Sequence, residues 1–360
     1  MEIYYFTLVV LMIFSFFEFR FRSSKKLAQL RKFYWFPLAL IILQIGFRWD
    51  MATDWEPYHD IFKDFDGKYD QFGMEPGFLY LNLIFRKVFD SYQFFILVQA
   101  LLLYLFIFKF FRQVTPYPIF AVLWFYTINL GMVGSSRQLL AVSIVALALV
   151  FYLKNKKWYY YAFCIVLAMQ FHTTAFIAIF YLLFDRKIPT KVLYILILTS
   201  LLIGLSPLST LLTSYAGYFG ETAADKADFY TAEIGSYSAT AILKRLVIIL
   251  PLLFLRTKMV YQFKNFNFVI NGYIFGVCLY FIFGKSFGIL ATRGAFYFNL
   301  MEPVIITYYL LFFKDLLLKH VYVLAITIFS FFLLRQSIVV YPELFAPYKT
   351  QYFKTDLIKY

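Results

Sequence analysis

The sequence predicts an all-α protein threaded many times through a membrane, and three observations predict it. Of the 360 residues, 62% are hydrophobic and 15% are charged, which is too little polar surface for a water-soluble domain. The apolar residues gather into runs of roughly 17–22, the length of helix that crosses a hydrocarbon core of ~30 Å. The ~10-residue alternating segments of a transmembrane β-barrel are absent. The chain therefore reads as a single membrane domain over 1–360, with about twelve transmembrane helices.

The first span, 3–19, is "IYYFTLVVLMIFSFFEF" with no basic leader and no small-residue cleavage site, so it reads as a retained helix. The second, 33–47, ends abruptly at the polar stretch "GFRWDMATDWEPYHDIF". After a long loop come 92–108, 117–133 and 138–153, separated by short polar turns. Spans 158–171 and 173–184 are short and meet at His172, which also suits a re-entrant pair covered by protein. Then follow 190–206, a second long loop, 239–255, 266–284, 295–313 and 320–334. Gly272 and Gly276, in "GYIFG", have the small-xxx-small spacing that lets helices approach closely.

The net charge of +14 raises the possibility of nucleic acid, but its distribution argues against it. The basic residues sit in short turns between apolar runs. The turns "RFRSSKKLAQLRK", "KFFRQ", "KNKK", "DRKIPTK", "RTKMVYQFK" and "KDLLLK" fall on one side and hold 19 Lys or Arg against two Asp. The positive-inside rule makes that side cytoplasmic. Both termini and the long loops near 48–91 and 207–239 then lie outside, with nearly all the acids. Cys164 and Cys278 lie within apolar runs and form neither a disulfide framework nor a metal pattern. No internal repeat marks an inverted-repeat transporter. The 23% aromatic content suits interfacial belts and also a sugar-handling surface.

An arginine costs ~2.5–3.5 kcal/mol at the bilayer centre, so each charge near a span is either functional or snorkelling at a helix end. Arg48, Asp54 and Tyr58 border the second span; on a continuous helix, 54 and 58 share a face with 48 below them. The alternative is a solvated loop. Glu75, just before Pro76, suits a helix N-terminus, where a carboxylate can cap free amides. Arg137 follows Ser135 and Ser136 at a helix start, where a cation opposes the helix dipole and so points to a bound anion or an acidic partner. His172 lies at an outer helix boundary and can transfer protons near neutrality, or it is a hydrogen-bonded turn residue. His59 is in a loop and His320 is cytoplasmic, so no histidines have metal-ligand spacing. Lys244 and Arg245 are adjacent on one helix, so at least one faces the bundle. Arg293 again begins a helix, nine residues before the buried acid Glu302. Arg48, Arg137, Arg245 and Arg293 thus lie near the outer leaflet on separate helices, and guanidinium forks grip phosphate oxygens in pairs. With acids and one histidine nearby, that set suits a lipid-linked diphosphate.

In order along the chain stand Phe47-Arg48, Thr53-Asp54, Tyr58, Glu75-Pro76-Gly77-Phe78, Leu81-Asn82, Arg137-Gln138 with Leu140-Ala141, Phe171-His172-Thr173, Arg293 before "AFYF", and "APYKT" at 346–350. This series, from about 40 to 350, resembles the EpsG family of Wzy-type polysaccharide polymerases. Two positions depart from the family pattern: Ala52 stands where glycine is usual and Trp55 where tyrosine is common. Both bear on loop shape more than on chemistry.

The resemblance implies a membrane glycosyltransferase that joins oligosaccharide repeat units carried on undecaprenyl diphosphate, making capsule, O-antigen or exopolysaccharide. By analogy it implies a GT-C-like fold. The reaction is placed on the outer face of a bacterial cytoplasmic membrane. His172, Asp54 and Glu75 are then the expected catalytic acids or bases, and Arg48, Arg137, Arg245 and Arg293 the diphosphate ligands. Tyr58 and Gln138 are the expected substrate contacts. No cofactor or metal is expected. The expected partners are undecaprenyl-diphosphate-linked glycans, membrane lipids and a chain-length regulator, with no nucleic acid. Two other readings use similar residues. A flippase or transporter for lipid-linked oligosaccharide wants charge through the bilayer depth, whereas here it is biased outward. An O-antigen ligase shares the donor and the leaving group; a membrane acyltransferase wants an early Arg–His pair with cytoplasmic access, which is absent.

Overall fold

The computed structural model describes residues 1–21, 31–68, 73–214, 239–259, 263, 265–288 and 290–351. Most of the basic turn 20–32 and of the loop near 207–239 lies outside the described residues. In chain order the α-helices are α1 (Glu2–Arg20), α2 (Trp35–Gly46), α3 (Trp55–Asp64), α4 (Pro76–Phe89), α5 (Tyr92–Val114), α6 (Pro118–Ile128), α7 (Ser136–Asn155) and α8 (Trp158–Met169). After a 3-10 helix, Thr173–Leu183, come α9 (Thr190–Leu205), α10 (Leu208–Ser214), α11 (Ala239–Met259) and α12 (Phe266–Phe283). A π-helical turn, Leu290–Gly294, leads to α13 (Ala295–Asn299), α14 (Met301–Tyr309), α15 (Leu316–Val340) and α16 (Pro342–Phe345). Among the described residues the only extended pairing is an isolated bridge between Arg48 and Thr350.

The fold is all-helical, as composition requires of backbone surrounded by lipid. Helices α1, α5, α7, α12 and α15 are each long and apolar enough to cross a membrane, and α2, α6, α8, Thr173–Leu183 and α9 are shorter apolar helices. Helix α8 has 12 residues, a rise of about 18 Å, which suits its reading as half of a short pair meeting at His172. The run 295–313 is not one helix: it breaks at Leu300 between α13 and α14. Pro303, in the first turn of α14, supplies no amide and crowds the carbonyl four residues before it.

The chain divides into two compact units, Met1–Thr173 with Ile306–Tyr360, and Thr174–Ile305. In the first unit α6 is buried from Pro118 to Thr127, which explains its lack of a polar face. Its N-terminal amides are met by Glu18, 1% exposed, whose carboxylate accepts from the N–H groups of Ile119 at 2.9 Å and Phe120 at 3.1 Å. At the basic end Tyr308 Oη donates to the Val114 carbonyl at 2.9 Å, and the Thr115 and Thr307 hydroxyls are 2.5 Å apart. At the other end the segments around 48, 75, 134, 172 and 348 gather.

The stretch 48–91 is not a simple loop. Helix α3 buries Trp55, Tyr58, Ile61 and Phe62 on one face, the period of an amphipathic helix. These residues pack with Phe65, Phe78, Tyr92 and Phe95. Arg48 is not on that helix, contrary to the continuous-helix reading. The backbone turns through left-handed conformations at Asp50 (φ 49°) and Ala52 (φ 72°) before Asp54 begins α3.

In the second unit α9 and α12 pack side by side. A Cβ on Gly272 would lie 2.9 Å from the Tyr181 ring, and one on Gly276 would lie 2.7 Å from Phe298 Cβ. The small-residue spacing therefore marks close approach of aromatic neighbours to α12.

Candidate functional site

Glu75 precedes α4 in extended conformation, with Pro76 opening the helix, but its side chain makes no capping bond to α4. The capping reading of this residue is thus set aside. The carboxylate instead reaches two other segments. Oε2 accepts from Arg137 Nη1 at 2.6 Å, and Oε1 accepts from the Thr173 amide at 3.0 Å and faces its hydroxyl at 3.4 Å. The pair is largely shielded, with 18% of the Arg137 side chain and 9% of the Glu75 side chain exposed. Arg137 Nε donates to Tyr58 Oη at 3.2 Å. Arg137 begins α7, where a cation opposes the helix dipole; the structure supplies the acidic partner that this position called for.

Burial pushes the Glu75 carboxyl up, but the Arg137 charge and the Thr173 amide outweigh it and hold the group below its ordinary value. Glu75 is therefore ionised at neutral pH with both oxygens engaged. His172, 5% exposed, favours the anion when it is protonated.

Two glycines let these segments approach. A Cβ on Gly77 would lie 2.6 Å from Gln170 Cβ and 2.7 Å from its carbonyl, and Phe78 N–H donates to that carbonyl at 3.2 Å. A Cβ on Gly134 would lie 2.6 Å from Thr53 Oγ1 and 3.0 Å from Asp54 N. Asn82, fully buried, donates to the Phe78 carbonyl at 2.8 Å within α4. The motif Glu75-Pro76-Gly77-Phe78 with Asn82 is thus one device: it starts α4, presses it on Gln170 and presents the carboxylate to Arg137 and Thr173. Asp54, half-buried at the start of α3, lies across Gly134 from the first turn of α7. Tyr58 and Gln138, 5% and 1% exposed, lie beneath the surface, so Tyr58 meets Arg137 rather than presenting a face to a sugar.

Arg48 stands among different partners. Its Nη1 donates to the Ile45 carbonyl at 2.6 Å and its Nη2 to the Val133 carbonyl at 3.0 Å, with 6% of the residue exposed. Burial lowers the affinity of this guanidinium for its proton, and Tyr92, Tyr348, Tyr4 and Tyr104 oppose that; it remains a cation. The void beside it, bounded by Tyr4, Gln44 and Tyr348, is about 10 Å³, enough for about one water and far too small for a diphosphate. The "APYKT" segment closes over this turn. Ala52 N–H donates to the Leu344 carbonyl at 2.9 Å, Trp49 N–H to Lys349 at 3.0 Å, and Tyr348 Oη to Gln44 at 2.5 Å. Arg48 and "APYKT", distant in sequence, are parts of one clasp.

The other two expected arginines belong to the second unit. Arg245 Cζ lies 3.6 Å from the centre of the Tyr280 ring, and its Nη1 donates to the Ala241 carbonyl at 3.0 Å. Arg293 is half-buried in the π-helical turn. Of the adjacent cations it is Lys244 that faces inward, with Nζ 2.9 Å from Glu302 Oε1, while Tyr273 Oη donates to Glu302 Oε2 at 3.3 Å. Among the described residues no three His, Cys, Asp or Glu side chains gather as a metal site would need.

Sequence reasoning missed Thr173 and Gly77 as site residues. Both were visible as neighbours of His172 and Glu75 in the motifs, but only packing shows that an amide and a missing side chain are what matter. It also missed Glu18, an acid inside the first apolar run that caps the start of α6.

The family model of the EpsG family matches residues 31–350. No curated protein and no solved structure matches the chain.

Proposed function

Because the chain belongs to the EpsG family, we propose that it is a bacterial membrane glycosyltransferase that polymerises polyprenyl-diphosphate-linked oligosaccharide repeat units on the outer face of the cytoplasmic membrane. The observation that carries this reading is the shielded Glu75–Arg137 pair with Tyr58 and Thr173. It lies where the turns assigned to the outside by the positive-inside rule gather. The reading retains a chain of about twelve spans and a GT-C-like arrangement as its architecture.

The acceptor hydroxyl of one repeat unit attacks the anomeric carbon of the growing glycan. The bond from that carbon to the diphosphate oxygen breaks, and the lipid diphosphate leaves with the electron pair. Arg137 neutralises the leaving charge: two of its donors are spent on Tyr58 and Glu75, which fix the fork, and the rest remain to phosphate oxygens. Glu75, held ionised with both oxygens engaged, is a weak base and acts as the positioning residue for Arg137. The proton of the acceptor passes to His172 or Asp54. Arg48 holds the turn that carries Asp54; Arg245 and Arg293, expected from the sequence as diphosphate ligands, belong to the second unit. The reaction needs no metal on this account, because guanidinium groups supply the charge.

Cells carrying Arg137→Ala or Arg293→Ala should lose polymer and accumulate single repeat units on the lipid carrier. Normal chain lengths in both would overturn the arginine assignment. Activity abolished by EDTA and restored by magnesium would overturn the metal-free step.

A further inference from the structure

A second feature of the first unit lies at the opposite end of α7 from Arg137. A surface groove of about 960 Å³ runs between α2 and α5 and touches Val150 of α7, thirteen residues and about 20 Å of helix rise beyond Arg137. Its floor is apolar: Leu38 and Ile42 on α2 face Leu101 and Leu105 on α5, each pair spaced to lie on one helix face. At one end the floor gives way to four cations. Arg31 and Lys32 precede α2, and Lys109 and Arg112 continue the α5 face beyond Leu105. The two helices run in opposite directions here, so both bring their basic residues to the same end of the groove. All four are exposed, and among the described residues no Asp or Glu lines the groove. Glu18, the acid of α1, is 1% exposed and its side chain is spent on the amides of α6.

Snorkelling alone sends lone cations outward along separate paths. Here four converge on one cavity with a greasy floor, and aromatic rings fix the level. Trp35 is 64% exposed, Lys109 Nζ lies 5.5 Å from the Phe151 ring and Arg112 Cζ lies 5.9 Å from the Phe108 ring. Trp35 is an amphipathic ring of the kind that marks the headgroup layer. We propose that this groove is a binding site for one anionic phospholipid, whose phosphate sits among Arg31, Lys32, Lys109 and Arg112 and whose acyl chain lies along Leu38, Ile42, Leu101 and Leu105. The basic turns place it in the cytoplasmic leaflet, where basic pockets between helices recognise acidic headgroups. The site is separate from the Glu75–Arg137 pair and stands or falls without it.

The test uses the full-length protein purified in mild detergent, equilibrated with equal amounts of phosphatidylglycerol and phosphatidylethanolamine, and read by native mass spectrometry. One phosphatidylglycerol should be retained in at least tenfold preference. Two variants separate the groove from general surface charge. R31Q/K32Q/K109Q/R112Q removes the cations, and Leu105→Trp fills the groove from an exposed position with every cation kept. Both should lose the preference. Equal retention of the two lipids by the native protein would overturn the site. Undiminished phosphatidylglycerol in Leu105→Trp would reduce it to surface electrostatics. Preferential retention of polyprenyl phosphate in a competition would assign the groove to a different lipid and overturn the proposal as well.

Discussion

Replacing Glu75 by glutamine keeps the shape of the side chain and removes one charge. The consequence follows from the donors that surround it. One carboxylate oxygen faces the Thr173 amide and the other faces Arg137 Nη1. A glutamine carries one acceptor and one NH₂ group, so whichever way it turns, a donor meets a donor. Arg137 is left largely shielded without its counter-charge. Breaking a buried pair from one side costs ~3–5 kcal/mol; with 18% of the Arg137 side chain still exposed, about 2–3 kcal/mol is expected here. Chemical unfolding in mixed micelles, followed by circular dichroism, measures it. A double-mutant cycle with Arg137→Met isolates the pair, and a coupling energy of about 2 kcal/mol is expected. A coupling below ~0.5 kcal/mol, the scatter of independent sites, would show that the pair does not hold these segments together and would refute the positioning role given to Glu75.

Other outcomes follow from the same geometry. Gly77→Ala should lower polymer yield severely while leaving the protein membrane-inserted, because its Cβ would collide with Gln170 and push Glu75 off Thr173; normal polymer length in this variant would contradict it. Arg48→Met should destabilise by roughly 2–4 kcal/mol through loss of charged hydrogen bonds to Ile45 and Val133; an unfolding midpoint equal to wild type would contradict it. Acid should also destabilise through Glu75. A carboxyl held below its ordinary 4.5 contributes fully above that pH and loses its contribution as pH falls through the lower folded value. An acid unfolding curve that Glu75→Gln leaves unchanged would contradict that.

The helices were legible because lipid demands long apolar runs and helical backbone; α1, α7 and α9 begin and end within two residues of their expected bounds. The sidedness of the turns is an expectation from Lys and Arg placement. The structure brings Val114–Thr115 to Thr307–Tyr308, and Glu75 to Arg137 and Thr173. What the sequence hid has physical causes. The break at Leu300 depends on a proline three residues on, inside an otherwise continuous apolar run. The left-handed turns at Asp50 and Ala52 have no glycine to announce them, since alanine stands at the second. Above all, an arginine in sequence does not reveal whether its fork meets carbonyls, a carboxylate or a ring. Arg48, Arg137 and Arg245 took one of each.

The measurement that bears most directly on the proposed activity is reconstitution of the purified protein in liposomes with a synthetic polyprenyl-diphosphate-linked repeat unit, with products resolved by size. The account predicts a ladder of glycans that lengthens with time, requires no added metal and disappears in Arg137→Ala. A single transfer to a different acceptor would indicate a ligase, and lipid-linked sugar moved across the bilayer without any new glycosidic bond would indicate a transporter; either result contradicts polymerisation.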